Sequence, residues 1–457
     1  MRLLNLLFYI NIVAVIYAQS HWNLDLKAHW HDTSLVATSM YSNIYNEIWG
    51  FQSNSHDYAV IGSTMGTHII DVTNTDSIFQ RAFIPGADQG TQIIHRDYHD
   101  YGGYLYMVCQ EGSSTLQILN IAHLPDSLSL VYDTDSVFSQ AHNIFIDTAS
   151  SKMYACYVTV ANPTPMFMGG AVYDLLDPLS PQLLYAHNQD VHDAFARDDT
   201  VFFNSAYKGL EVYDFKNDTM PVFLGSLTGY DFQGYNHSGW LTEDGKYYVM
   251  ADENHGYPMK VLDVQDLMNI NVLAHINSEE DPNSIPHNQI VMGDFLYTAY
   301  YYDGLYVHDI SDPNVPKLVA YYDTYIGPND LSYKGAWGVY PFLGKEKILV
   351  SDMQTGLYVL GLDAQASTYD FKNKKSDWNI YPSPSSGYIS LDLKESNIEV
   401  SKVQIVDLSG IRYLEKDIDL ALEEGLNIKS FNAPTLLFCL LLDCDGKAID
   451  KKAFINL

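Results

Sequence analysis

At four places in the 457-residue sequence, spaced about 45 to 50 residues apart, a histidine and a second polar residue stand just before an apolar run. These places are His142-Asn143, His192-Asp193, His237-Ser238 and His287-Asn288. Neutral imidazole is a common protein ligand for zinc, copper, iron and nickel ions. The four histidines therefore predict either a divalent metal site or a polar cluster in which imidazoles bond to one another and to water.

Three further phrases occupy the same place in the pattern, and they read Asn46-Glu47-Ile48-Trp49, Arg96-Asp97-Tyr98 and Ala336-Trp337-Gly338. The seven phrases recur about every 45 to 50 residues, a period typical of a β-propeller blade. Seven phrases predict seven blades, with the polar residues together at one mouth of the central channel. The residues predicted to bind a ligand there are Asn46, Glu47, Arg96, Asp97, Asn143, Asp193, Asn288 and Trp337. The predicted metal ligands are His142, His192, His237 and His287.

Two other groups of polar residues are weaker candidates. His95, His99 and Asp100 surround the second phrase and could add acid–base groups at the same mouth. The run Asp252-Glu253-Asn254-His255 places carboxylates beside a histidine and offers a secondary ion site. Tyrosine runs such as Tyr300-Tyr301-Tyr302 could stack on sugars, but packing between blades is the simpler interpretation.

Each repeat reads as four short strands joined by turns. The last repeat, which begins at Trp337, lacks its fourth strand, and the N-terminal segment from Asn23 to Trp30 has the alternation of a half-buried strand. We therefore predict that this segment closes the ring and leaves no long unpaired edge. The predicted fold is all-β, a seven-bladed β-propeller closed by an N-terminal strand and followed by a small C-terminal β-sandwich.

The chain is strongly acidic, with 56 Asp and Glu against 25 Lys and Arg and a formal net charge of −31. This balance argues against a nucleic-acid partner, since phosphate binding needs clustered Lys and Arg. No P-loop, dinucleotide fingerprint or nucleophile elbow accompanies the required strand and helix context. Cys109 and Cys156 fall near equivalent places in successive repeats, so the alternatives are a bridge between blades or two buried thiols.

The first eighteen residues combine Arg2 with a mostly apolar run, Leu3 to Ile16, as a secretory signal peptide does. No other stretch is apolar enough to span a membrane, so we expect no transmembrane segment in the mature chain. The predicted domains are a signal peptide at 1–18, a propeller at 19–362, a linker at 363–377 and a C-terminal domain at 378–457.

Several motifs in order resemble the choice-of-anchor B family of exported bacterial proteins, which are built from LVIVD-type repeats. They include Tyr45-Asn46-Glu47-Ile48-Trp49-Gly50, Ala141-His142-Asn143-Ile144 and Ser351-Asp352-Met353-Gln354-Thr355-Gly356. The resemblance covers roughly residues 22 to 362 and implies a β-propeller, but it carries no established activity and no catalytic residues.

The tail is similar to the C-terminal sorting domain of the type IX secretion system of Bacteroidetes. It opens with Ile380-Tyr381-Pro382-Ser383-Pro384, where Ser383 replaces the usual Asn, and it ends with Lys451-Lys452-Ala453-Phe454. The resemblance implies the type IX secretion machinery as a partner. It also implies a protein that is secreted or held on the outer cell surface after passing through the periplasm.

Two functional hypotheses follow from these patterns. The first is an exported binding module that uses the channel mouth to bind an extracellular protein or glycan. The second is a metal-dependent extracellular hydrolase or lyase, in which the imidazoles hold the ion and Asp97, Asp193 or Glu47 acts as base. The missing catalytic motif favours the first hypothesis, and the number of histidines at the channel favours the second.

Overall fold

The computed structural model describes residues 20–161, 166–278, 281–362, 378–381, 388–393, 400–407, 412–427, 435–442 and 448–456. The chain forms two compact units, Met1–Asp363 and Ala364–Leu457. The predicted signal peptide and the predicted linker lie outside the described residues.

The first unit is built from antiparallel strands grouped into sheets. Two short strands precede the repeats, namely β1 (His21–Trp22) and β2 (Leu24–Trp30). The next three sheets contain β3 (Tyr45–Ser53), β4 (His56–Ser63), β5 (Gly66–Asp71) and β6 (Phe79–Pro85); β7 (Arg96–Tyr101), β8 (Tyr104–Cys109), β9 (Leu116–Asn120) and β10 (Ser129–Thr134); β11 (Asn143–Asp147), β12 (Lys152–Val160), β13 (Met166–Asp174) and β14 (Gln182–His187).

Four further sheets complete this unit among the described residues. They contain β15 (Asp193–Arg197), β16 (Thr200–Asn204), β17 (Leu210–Asp214) and β18 (Val222–Leu227); β19 (Asn236–Leu241), β20 (Tyr247–Asp252), β21 (Met259–Asp263) and β22 (Asn271–Ile276); β23 (Gln289–Met292), β24 (Phe295–Ala299), β25 (Leu305–Asp309) and β26 (Lys317–Tyr322); and β27 (Ala336–Tyr340), β28 (Ile348–Asp352) and β29 (Gly356–Leu362). Short 3₁₀ turns occur at Thr75–Ser77 and Leu267–Asn269.

The sheets form a closed circuit through their first strands. Strand β3 packs on β7, β7 on β11, β11 on β15, β15 on β19, β19 on β23 and β23 on β27, and β27 returns to β3. A ring of antiparallel sheets whose first strands surround a common axis is a β-propeller. The all-β prediction is therefore confirmed for the described residues.

The N-terminal residues connect the start of the ring to its end. Strand β2 pairs antiparallel with β29, with Leu24 opposite Leu362 and Trp30 opposite Leu357. This pairing agrees with the predicted closure by the segment from Asn23 to Trp30. Strand β1 adds a contact that the sequence did not predict, because it pairs with β26 and so becomes a fifth strand of the preceding sheet.

The closing strand depends on a glycine at the start of β29. Gly356 has φ +96°, and a Cβ there would lie 2.5 Å from the carbonyl oxygen of Trp30 in β2. Gly344 has φ +101° with open space around it, so it is a matched control for the backbone strain alone. We expect Gly356→Ala to lower the free energy of unfolding by about 1–3 kcal/mol more than Gly344→Ala. Urea unfolding measures both losses, and equal losses would show that β2 accommodates the added methyl group without a steric cost.

The two cysteines of the inner strands do not form the bridge that the sequence left open. Cys109 and Cys156 are both buried free thiols. Burial raises the pKa of each thiol, so both are protonated and unreactive at neutral pH. They serve as small apolar side chains within the packed sheets.

The second unit consists of two sheets and one short helix among its described residues. Its elements are β30 (Trp378–Tyr381), β31 (Tyr388–Leu393), β32 (Lys402–Asp407), β33 (Arg412–Asp417), α1 (Ile418–Glu424), β34 (Leu426–Asn427), β35 (Thr435–Leu442) and β36 (Ala448–Asn456). Strands β30, β31 and β34 form one sheet, and β33, β32, β35 and β36 form the other. Ile389, Val403, Ala421 and Cys439 share one core, so both sheets and the helix pack together.

None of the helices in the described part of the chain is long and apolar enough to cross a membrane. Most of the predicted Pro-rich opening of the sorting domain, residues 382–387, lies outside the described residues. The Lys451-Lys452-Ala453-Phe454 motif lies within β36.

Candidate ligand site in the channel

Five imidazoles and one indole form a closed ring around the channel axis. Each residue stands at or just before the first strand of a sheet, which explains why successive repeats bring them together. Successive ring centroids are 4.8, 4.3, 4.1, 4.3, 4.6 and 5.4 Å apart around the circuit. The members in order are His95, His142, His192, His237, His287 and Trp337.

Backbone carbonyls fix the tautomers of two ring members. The Nδ1 of His192 lies 3.0 Å from the carbonyl oxygen of His237, and the Nδ1 of His287 lies 2.5 Å from that of Trp337. Because a carbonyl oxygen only accepts, each Nδ1 must carry the proton. Each Nε2 therefore keeps a free lone pair, as a metal-ligating imidazole requires.

Side chains hold two more members of the ring. The Nδ1 of His142 lies 2.7 Å from Gln110 Oε1, and that of His95 lies 2.5 Å from Glu111 Oε1. His237 differs from the other four histidines, because its buried Nδ1 has no hydrogen-bond partner. One imidazole of the ring thus retains an unused hydrogen-bonding capacity, which is costly for a buried polar group.

Four imidazoles of the ring, those of His142, His192, His237 and His287, are uncharged at neutral pH. Burial lowers the pKa of His192 and of His287 to about 3 in each case. Burial first, and the neighbouring imidazoles second, hold the pKa values of His142 and His237 well below the usual range. Neutral imidazoles repel a cation less than charged ones do, and they are the form that binds metal.

A carboxylate joins two of these imidazoles at the edge of the ring. One ligand-type atom from each of His237, Glu253 and His287 lies within 4.8 Å of the other two, the one such trio among the described residues. Glu253 Oε2 is 3.9 Å from His237 Nε2, while Glu253 Oε1 accepts a hydrogen bond of 2.7 Å from the Tyr301 hydroxyl. Burial raises the pKa of Glu253 to about 7.

A cavity of about 260 Å³ opens above the ring, on the face where Glu253 lies. Besides four ring members and Glu253, tyrosine rings line it, and the Tyr157 and Tyr235 hydroxyls are 3.1 Å apart. No Lys or Arg is among its lining residues. The tyrosines of the cavity are Tyr41, Tyr157, Tyr235, Tyr301 and Tyr333. The cavity therefore combines aromatic faces with hydroxyl groups and unprotonated ring nitrogens.

Three carboxyl groups, those of Glu47, Asp97 and Asp193, stand on first strands behind the ring, and Asp97 is buried while the other two are half-buried. Glu47 Oε1 accepts the backbone N–H of Ile48 at 2.9 Å, and the Nδ2 of Asn288 donates to its Oε2 at 2.6 Å. Burial first, and the Asp97 carboxylate second, raise the pKa values of Glu47 and Asp193 well above the usual range. A space of about 20 Å³ separates this layer from the imidazoles, enough for one water or ion.

The far end of the channel is lined by aromatic rings. His99 packs on Trp49 with ring centroids 4.4 Å apart, and Phe145 and Phe195 each contact Trp240. The predicted acid–base role of His99 does not suit this place, because burial among rings lowers its pKa. The three carboxyl groups also line a cavity of about 70 Å³ at this end of the channel.

Replacing the buried Asp97 carboxyl group by a neutral amide of the same shape should raise the stability of the protein by an amount that depends on pH. Its Oδ2 accepts the Ile144 N–H at 2.7 Å, and burial raises its pKa from 3.8 to about 7. Because the raised pKa means that the folded state disfavours the ionised carboxylate, the protein loses stability as the pH rises above 3.8. The loss is complete above about pH 7. We expect Asp97→Asn to stabilise the protein at pH 8, by a margin on the order of 2–4 kcal/mol, and clearly less at pH 5. Urea unfolding at both pH values measures this margin, and a margin independent of pH would contradict the assignment.

The predicted site residues divide between these layers. The four predicted metal ligands and Trp337 belong to the ring, and Glu47, Asp97, Asn143, Asp193 and Asn288 belong to the layer behind it, where all five line the cavity of about 70 Å³. The side chains of Asn46 and Arg96 form hydrogen bonds with backbone carbonyl groups. The Asn46 amide donates to the Ile94 carbonyl, and the Arg96 guanidinium donates to the carbonyls of Ser63 and Asp88. These bonds use one of the two amide N–H groups of Asn46 and two of the five N–H groups of Arg96, and Arg96 also lines the small space behind the imidazoles.

Sequence reasoning placed Glu253 only in a secondary ion site, and it did not join Glu253 or the cavity tyrosines to the ring of histidines. In an antiparallel pair, the start of the first strand and the end of the second lie at the same edge. Glu253 directly follows β20, as Gln110 follows β8, and both reach the mouth for this reason. A polar residue directly after the second strand of a sheet is therefore the sequence feature that could have identified these site residues. His95, weighed as a weaker candidate, belongs to the ring.

No protein-family model and no curated protein sequence matches this chain. Among solved structures, it is similar to the β-propeller domain of Cps50 (Swd1) from Myceliophteria thermophila, at 12% sequence identity. That alignment covers 71% of this chain and 98% of the other, with a TM-score of 0.48. The assignment of the fold therefore depends on the closed circuit of sheets, which defines the class of this protein as a β-propeller.

Proposed function

We propose that this chain is an exported binding protein, a seven-bladed β-propeller that takes its ligand in the cavity at the imidazole end of the channel. The single observation that carries the proposal is this cavity of about 260 Å³, lined by tyrosines, imidazoles and one carboxyl group. Binding sites are typically concave, with aromatic walls and a few convergent polar groups. The mouth meets that description.

The shape of the cavity favours a small ligand or one protruding group of a larger one. Aromatic faces accept the apolar faces of sugars and the side chains of peptides, and tyrosine hydroxyls add hydrogen bonds. The ligand would then be an extracellular glycan or a protein whose terminal group enters the mouth. A nucleic acid is not expected, because the chain carries a formal charge of −31.

We further infer the route of export from the two resemblances. The signal-like residues 1–18 would direct the chain to the periplasm, and the C-terminal unit, read as a small β-sandwich, would engage the type IX secretion machinery. The repeats resemble those of the choice-of-anchor B family, whose members share a propeller. Together these features support a location outside the cell or on its outer surface. Cell fractionation of tagged full-length chain, with and without residues 378–457, tests this route.

Binding at the mouth can be tested with a glycan array and a peptide array. Tyr333→Ala removes one aromatic wall of the cavity, whereas Phe79→Ala removes an exposed ring on an outer strand. We expect any ligand found on the arrays to bind Tyr333→Ala at least about tenfold more weakly and Phe79→Ala without change, by the usual cost of a removed aromatic contact. Equal affinity for both variants would place the ligand elsewhere.

A second candidate function is a metal-dependent hydrolase or lyase. It is favoured by the grouping of His237, Glu253 and His287. The bases that the sequence predicts, Asp97, Asp193 and Glu47, lie behind the imidazoles with oxygens that accept backbone N–H groups. Any such chemistry would therefore use Glu253, whose pKa of about 7 suits proton transfer at neutral pH.

A further inference from the structure

We propose that the channel mouth binds one divalent transition metal ion through His237, His287 and Glu253, of which Glu253 also lines the cavity. Zn²⁺ is the ion that this ligand set fits best. The inference deepens the proposed function and rests on it, because the ion would be the group that recognises the ligand. It also narrows the predicted four-histidine site to two histidines and one carboxylate.

The positions of the ligand atoms are the first argument. One ligand-type atom of each residue lies within 4.8 Å of the other two. The 3.9 Å between His237 Nε2 and Glu253 Oε2 is too long for a hydrogen bond. It suits two atoms on either side of an ion, since Zn–N and Zn–O bonds are each about 2.0–2.2 Å long.

The surrounding hydrogen bonds orient the ligands for this role. His287 donates its Nδ1–H to the Trp337 carbonyl, which directs the Nε2 lone pair away from the backbone. The Tyr301 hydroxyl bonds Glu253 Oε1 and leaves Oε2 available. Such outer partners are a regular feature of metal sites, because they fix the tautomer and the ring orientation.

His237 supplies an independent observation. Its side chain is 95% buried, yet its Nδ1 has no hydrogen-bond partner. Its Nε2 lies beyond hydrogen-bonding distance of Glu253 Oε2. The other four imidazoles of the ring each use Nδ1 in a hydrogen bond. An ion bound at Nε2 would give this imidazole a strong interaction at its other nitrogen, because the unpartnered Nδ1 is not the atom that faces Glu253.

The ligand set also selects the class of ion. Two imidazoles and one carboxylate suit Zn²⁺, Fe²⁺, Co²⁺ or Ni²⁺, whereas Ca²⁺ and Mg²⁺ prefer oxygen ligands. Three protein ligands leave at least one position for water or a bound molecule, as in open zinc sites.

The ion would define the chemistry of the bound molecule. No Lys or Arg is among the described residues that line the cavity, so without an ion an anionic group would find hydroxyl, amide and indole donors but no positive charge, beside the Glu253 carboxylate. A divalent ion supplies positive charge at the floor of an aromatic pocket. The recognised group would then be an anionic oxygen donor, such as a carboxylate.

The test uses Co²⁺ as the probe on metal-free full-length protein. Titration should show one equivalent bound with a visible ligand-field spectrum in the wild type. Glu253→Gln should bind Co²⁺ at least about tenfold more weakly, and His237→Gln/His287→Gln should lose binding. The control is His29→Gln/His31→Gln, which removes a pair of stacked histidines outside the channel, with centroids 6.4 Å apart. The control should bind as the wild type does.

Three results would overturn the metal site. They are a wild type that binds no stoichiometric Co²⁺, a double ring variant that keeps its affinity, and a control that loses binding. If the double variant fails to fold, X-ray absorption of the Co²⁺-loaded wild type identifies the ligands instead. We expect two imidazoles in the coordination shell, and a shell of oxygen atoms alone would contradict the proposal.

Azide then separates the metal site from the binding function. It should change the Co²⁺ spectrum by entering an open position, and an unchanged spectrum would contradict the open coordination. A protein that binds array ligands through Tyr333 but takes up no Co²⁺ would leave the proposed function standing and refute only the ion. Co²⁺ uptake together with equal ligand affinity in Tyr333→Ala and Phe79→Ala would refute the proposed function alone.

Discussion

A chain that begins at residue 31 should fail to form a stable ring, whereas a chain that begins at residue 19 should unfold cooperatively. Strand β2 is the outer partner of β29, and its Leu24 is fully buried. Its removal exposes a hydrogen-bonding edge and the apolar face beneath it. Since the whole stability of a domain is about 5–15 kcal/mol, we expect this loss to exceed what the ring can tolerate. Thermal unfolding and size-exclusion chromatography measure the difference.

Adding back the missing strand provides the control for this truncation. A synthetic peptide of residues 20–31 should restore a cooperative transition, because it can pair with the open edge of β29 as an added strand. A peptide of the same composition in scrambled order should not. A truncated chain with the same melting temperature as the longer one would show that the ring does not depend on this closure.

Lys260→Met should cost about 3–5 kcal/mol of unfolding free energy, because it leaves a buried carboxylate without its partner. Lys260 Nζ lies 2.5 Å from Asp252 Oδ2, and both side chains are fully buried. Asp252 also accepts hydrogen bonds from the Tyr230 hydroxyl and the Gly234 N–H. The pair therefore holds the end of β20, directly before Glu253, in place. Urea unfolding at pH 7.5 or so measures the loss.

The matched control for this pair is a lysine–aspartate pair on the surface of the same sheet. Lys246 and Asp244 are 3.2 Å apart with about half of each side chain exposed. Exposed pairs contribute little, so Lys246→Met should change stability by less than about 0.5 kcal/mol. Similar losses for the two lysine variants would mean that burial of the Lys260 pair has no energetic consequence.

Much of the ring could be predicted from the sequence because its signals are local and repeated. The polar phrase before each first strand recurs at a regular spacing, and the closing role of Asn23 to Trp30 follows from one missing strand. Strand β1 could not be predicted, because two residues carry no periodicity and their pairing with β26 is set by where the closing strand runs.

The candidate site could be predicted only in part. The four histidines follow from their place in the repeat, but the trio with His237 and His287 includes Glu253, which comes from the end of the second strand of one sheet. The depth of each side chain also depends on strand geometry. Adjacent residues such as His192 and Asp193 enter different layers, and sequence spacing does not separate them.

Crystals of the full-length protein soaked in Zn²⁺ provide the most direct measurement, through anomalous diffraction at the zinc edge. We expect one strong peak between His237, His287 and Glu253, with additional density facing the tyrosine-lined cavity. No peak in the channel, or a peak only at exposed histidines such as His21 and His29, would contradict a metal-dependent ligand site at the mouth.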